Sequence, residues 1–144
     1  MPAPSPPAQQ DNSQIKQYAV RFISIAIKEA IAASEYVASF TVDETQSSDY
    51  ARRWYQGLRD LAGTLATLPH RFAVEVRESR RFGMEVRRLL YRMRMGGVAY
   101  HAYYRILEES ADGAKVQIIH VRHASRRPMT FTEARDIIAG IDAE

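Results

Sequence analysis

The chain contains no cysteine. That excludes a disulfide-stapled scaffold, thiolate metal sites and a cysteine nucleophile, and it is in keeping with a reducing, cytoplasmic setting. No stretch approaches the roughly 18 apolar residues that a membrane span requires. The N-terminus lacks a basic segment followed by an apolar core, so neither a membrane partner nor a secretory signal is expected. The pair Gly96-Gly97 has none of the surroundings of a phosphate-cradling loop. No cofactor is expected, and no metal. Proline is scarce outside the first residues: four of the six lie in Met1–Ser13, with no large apolar residue except Met1. Proline removes a backbone donor and fixes φ, so residues 1–14 read as a disordered, Pro-rich tail and residues 15–144 as a single domain.

Acidic residues are also missing where basic ones gather. From Arg71 to Arg94 there are eight arginines against three acids, and from His120 to Arg127 three arginines and two histidines with no acid. Such asymmetry fits an anionic partner, whether nucleic acid, phosphate or an acidic protein; the bland alternative is a solvated basic face.

The same region carries the strongest secondary-structure signal. Met84–Met93, Val98–Leu107 and Lys115–His123 are rich in branched and aromatic residues that fit a pleated surface. Gly96-Gly97 and Asp112-Gly113 separate them with turn chemistry. Three antiparallel strands follow from this pattern. Gln17–Ile23 alternates and predicts a first strand. Ser24 is a candidate cap for a helix whose stripe is Ala26, Ala30, Ala33, Val37 and Phe40, widened by Ile27 and Ile31. Ser47 or Ser48 opens a second helix carrying Ala51, Trp54, Tyr55, Leu58, Leu61, Leu65 and Leu68, ending at Pro69. A short link makes the two an antiparallel hairpin, with Trp54 as a core anchor. His70–Phe82 reads as a short edge strand or a flexible basic loop. Thr130 and Glu133 have capping-box spacing ahead of a short final helix with Ala134, Ile137, Ile138 and Ile141. If helices cover only one sheet face, the other presents a cationic surface.

Several stretches carry a resemblance. They are Phe22-x-x-x-Ala26-x-x-Glu29 running to Tyr36-Val37, Ala51-x-x-Trp54-x-x-x-Leu58 running to Leu68-Pro69, and Gly83-Met-Glu-Val-Arg87-Arg88-Leu89. Tyr100 and Tyr104-Arg105-Ile106 follow, then Val116 and Val121-Arg122-His123-Ala-Ser-Arg126-Arg127. In order and spacing, from about Tyr18 to Arg127, they resemble the RelE/ParE superfamily of toxins from bacterial type II toxin–antitoxin modules. The resemblance implies an α+β fold of order β-α-α-β-β-β, a twisted antiparallel sheet with the helical hairpin on one face, here followed by a short C-terminal helix. It implies a cognate acidic antitoxin as partner, and growth inhibition by one of two routes: RelE-like members cleave messenger RNA on the ribosome, and ParE-like members poison DNA gyrase.

RNA cleavage by in-line attack needs a base, a cation for the developing phosphorane charge and an acid for the leaving oxygen. Arg87, His120, His123 and Arg126 are the catalytic candidates, with a tyrosine such as Tyr104, because arginine forks onto phosphate and histidine titrates near neutrality. Arg87, Arg88, Arg122, His123, Arg126 and Arg127 are the candidates for holding an anionic partner. The chain departs from the nuclease pattern in two places. Tyr100-His101 stands where those enzymes carry Tyr-Arg, and no tyrosine follows Arg127. Both departures favour a ParE-like, non-nuclease action on gyrase or another target, with the RelE-like ribonuclease as the alternative and a non-toxic partner-binding relic as the next. His120 and His123, three apart on a strand, point to opposite faces, which disfavours a shared metal. Any one of these cations also has a structural reading as half of an internal ion pair.

Overall fold

The computed structural model describes residues 16–144, so the tail expected over 1–14 lies outside the described residues. The order is β1 (Ala19–Phe22), α1 (Ser24–Thr41), α2 (Ser47–Gly63) with a 3-10 turn at Thr64–Ala66, α3 (Val76–Phe82), β2 (Arg87–Tyr91), β3 (Tyr100–Leu107), β4 (Lys115–His123) and α4 (Phe131–Asp142). This is an α+β arrangement around one four-stranded sheet, ordered β1-β4-β3-β2.

The expected meander is present: β2 pairs antiparallel with β3, and β3 with β4. The expectation of a wholly antiparallel sheet is corrected, because β1 pairs parallel with β4 and the sheet is mixed. The reason is the connection. The helical hairpin carries the chain across the sheet before the meander begins, and a crossover of that length permits a parallel neighbour where a tight turn does not. Gly96 and Gly113 both adopt positive φ, 78° and 98°, as the two turns of the meander require.

The register contains one irregularity with large consequences. Tyr103 faces His120, but the next residue, Tyr104, faces Ile118. Ile119 is therefore an extra residue in β4, a β-bulge. Strict alternation from Ile118 would send His120 and Arg122 to the hairpin side; the bulge sends Val121 there instead and turns His120 and Arg122 to the opposite face.

The hairpin face is the main core. Trp54 is wholly buried and meets Tyr91 and Tyr100 edge to face at 5.0 and 5.3 Å, a geometry aromatic quadrupoles favour. The Tyr91 hydroxyl donates to the Trp54 carbonyl (2.8 Å), and the Tyr104 hydroxyl donates to the Pro69 carbonyl (2.8 Å). Gly57 is required here: a Cβ at that position of α2 would collide with the Tyr91 hydroxyl. Its cost to helix propensity, about 1 kcal/mol, is offset by this close approach.

Three local expectations are corrected. Residues 76–82 form α3, neither strand nor open loop, with only an isolated bridge between Val74 and Arg87 ahead of it. Glu78 and Phe82, four apart, are buried on one side of it while Arg77 and Arg80 stay exposed, a helical period that the alternation of Phe72, Val74 and Val76 conceals. Ser24 does not cap α1 with its side chain; its backbone N–H instead donates to the Glu144 carboxylate. The α1 stripe buries Ala26, Ala30, Ala33 and Val37, but Phe40 and Ile31 lie on the surface, with Ser34 and Ala38 inside in their place.

The second sheet face is not bare, contrary to the expectation that only the hairpin covers the sheet. The helices α3 and α4 pack on each other, and α4 also meets β4. Met129, Ala134, Ile137 and Ile141 are buried there. The capping box at Thr130 and Glu133 is complete in both directions. No helix among the described residues is long and apolar enough to cross a membrane.

Candidate functional site: a basic cleft

The uncovered part of the second face forms a small polar cleft of 120 Å³, walled by Arg77 and Glu78 of α3, floored by Arg88, His101, Tyr103 and Arg122 of the sheet, and closed by the segment from His123 to Pro128. The volume is roughly that of four waters, enough for one phosphate-sized group. Cross-strand register explains the floor. Arg88 faces Tyr103 and His101 faces Arg122, so all four point the same way.

Most of its cations are already engaged. Arg122, only 4 % exposed, places Nη2 at 3.3 Å from Glu133 Oε2 and donates to the Arg127 carbonyl at 3.1 Å. Its Nη1 is buried without a hydrogen-bond partner. Arg126 reaches the same Glu133 oxygen at 3.2 Å. Burial works upward on the Glu133 carboxyl, but the Thr130 N–H together with Arg122 and Arg126 outweighs it and holds the group below the usual range. Arg88 pairs with Glu75 at 3.3 Å. Arg127 makes no ion pair among the described residues and is exposed.

Glu78 differs from Glu75 and Glu133. It is 7 % exposed, lines the cleft, and has no ion pair or hydrogen bond among the described residues. Beside it, His101 is held neutral. Burial, then the Arg88 charge, pulls its pKa down to about 4, with Arg122 adding to the shift and Glu78 opposing it. Burial likewise raises the Tyr103 hydroxyl.

The predicted site residues therefore separate. Arg88, Arg122, His123, Arg126 and Arg127 line the cleft. Arg87 does not: it faces Tyr104 on the hairpin side, donates to the Phe72 carbonyl at 2.6 Å and lies 3.6 Å from Glu85. His120 also stands apart. It is buried on the second face, stacked on Tyr103 at 5.9 Å, with Nδ1 2.8 Å from Glu29 Oε2 but off the line of a hydrogen bond, and with Nε2 unpartnered. Glu29 meanwhile accepts from the Val121 N–H at 3.0 Å, closing the edge of β4 beyond the end of β1. His123 faces Tyr100 on the hairpin side of the sheet, and its Nδ1 accepts from the Ser125 N–H at 3.0 Å. Tyr104 is core, not site. No protein-family model matches the chain, and no curated protein matches it.

Glu78, Arg77, His101 and Tyr103 were absent from the expected set. Tyr103 and His101 share parity with Arg105 on β3, which locates their face once the strand is accepted. Glu78 carries a weaker signal, one of three acids inside the arginine-rich stretch, and becomes legible only when α3 is recognised as a helix.

Proposed function

We propose that this chain is the toxin component of a bacterial type II toxin–antitoxin module of the RelE/ParE kind, active in the cytoplasm and neutralised by an acidic antitoxin, and that it acts on a macromolecular target such as gyrase by binding. The observation that carries the reading is the cleft: five arginines, from α3, the sheet and the segment after β4, line one restricted patch. The helical hairpin on one face and the three-stranded meander support the family reading, with α3 as an added element. The binding mode is supported by the state of the groups. Glu75 engages Arg88, and Glu133 engages both Arg122 and Arg126, His101 is neutral at pH 7, and His120 and His123 sit on opposite faces. The His101 imidazole on the cleft floor is therefore no proton donor at that pH.

One observation favours the ribonuclease reading. The unpartnered Glu78 carboxylate shares the cleft with Arg88, Arg122 and Tyr103. A carboxylate beside arginines has the parts to take a 2′-hydroxyl proton and steady phosphorane charge. Induced expression in a bacterium without antitoxin separates the two. Growth arrest with a DNA-damage response and intact messages is the expected result. Arrest with codon-phased message cleavage, abolished by Glu78→Gln, replaces it with the ribonuclease. Normal growth at confirmed soluble expression overturns the toxin reading altogether.

A further inference from the structure

The cleft does not exhaust the basic surface. On α3, Arg77, Arg80 and Arg81 stand at helical spacing, and none makes an ion pair among the described residues. The acids of the neighbourhood are turned elsewhere: Glu75 is taken by Arg88, and Glu78 faces the cleft. Opposite them, Phe131 opens α4 and is 63 % exposed, a ring that a folding argument alone would have buried. The Arg81 guanidinium lies over this ring at 4.7 Å, with its Nε buried and unpartnered. Alongside this pair runs an open groove of 480 Å³, lined also by Val76 and Arg80 and joined to the cleft through Arg77.

We infer that this groove binds single-stranded nucleic acid. An unpaired base has two free π-faces, and Phe131 with the Arg81 plane offers a stacking surface of that size. The flanking arginines stand where the phosphates of such a strand would pass. The combination separates a single strand from other polyanions. A duplex keeps its base faces covered, so it gains only the arginine contacts. An acidic peptide does not alternate a flat ring with every charge, as a strand of nucleotides does. The inference is independent of the toxin reading, because Phe131, Arg80 and Arg81 lie outside the cleft and Arg77 alone is shared with it.

Binding of the full chain to a labelled mixed-sequence single strand of about twelve nucleotides, a length within the range such grooves occupy, is measured by fluorescence anisotropy against the corresponding duplex. The single strand is expected to bind tighter. Phe131→Ala is expected to weaken it by about tenfold while leaving duplex binding and the thermal midpoint unchanged, and Phe131→Trp to restore it. Arg80→Ala should lower the slope of log affinity against log salt by roughly 0.7. Glu78→Gln, a cleft change, should preserve the dependence on Phe131. Equal affinity for both nucleic acids with no effect of Phe131→Ala overturns the inference. So does preferential binding to vesicles containing anionic lipid, which would assign Val76 and Phe131 to a membrane surface.

Discussion

The two faces of the sheet solve opposite problems. Under the hairpin, Trp54, Leu58, Leu89, Tyr91 and Tyr104 exclude water almost completely, and the Tyr91 and Tyr104 hydroxyls each have a carbonyl partner. On the other face, Arg122 and His120 are as deeply buried, yet Arg122 is held by a carboxylate from outside the sheet, Glu133, and the Glu29 carboxylate lies beside His120. The first face is stabilised by area removed from water. The second depends on pairing, because a buried charge without a partner is far more costly than a missing methylene. The contrast teaches where function is affordable: a cleft can remain open only on the face whose stability comes from a few specific partners.

The comparison can be broken most directly at its apolar end. Trp54→Ala should destabilise the protein by about 4 kcal/mol, measured by urea unfolding. A loss under about 1 kcal/mol would mean that the hairpin face is not the main core. The charged end is tested by Glu133→Ala, which strands Arg122 and should cost about 3 kcal/mol. Thr130→Ala removes the cap from the same helix and should cost about 1 kcal/mol. If the two lose equally, the Arg122 pair contributes nothing beyond capping.

Acid sharpens the contrast. His101 is depressed from 6.5 to about 4 in the folded chain, so between those values the unfolded chain takes up the proton first. Its contribution is complete above pH 6.5 and is lost as pH falls toward 4, amounting to roughly 1–2 kcal/mol after allowance for partial exposure. Stability measured from pH 7 to 4 should fall less steeply in His101→Gln. The smallest effect is at the surface: Arg80→Ala should shift stability by no more than about 0.5 kcal/mol, whatever it does to ligand binding.

These predictions lean on features of unequal legibility. The meander, the two long helices, the Trp54 anchor and the Thr130–Glu133 capping box could be read from residue types, because each rests on spacing within one segment. The helix α3 could not be read, since seven residues with mixed periods give neither template enough matches. Nor could the uses of Arg87 and Arg88 be told apart: only the fold puts the Phe72 carbonyl beside one and Glu75 beside the other. The pairing of Glu29 with the edge at His120 and Val121 joins residues about ninety positions apart, which no local pattern encodes.

Residue order alone thus determined which segments pleat and which coil, where the turns fall, and that positive charge is concentrated in the second half of the chain. The tertiary structure decided which of those charges are spent internally and which face outward. The physical reason is the extra residue at Ile119. A one-residue slip in a strand exchanges its two faces, and that exchange, produced by packing between strands, puts Arg122 into the cleft and Val121 into the core.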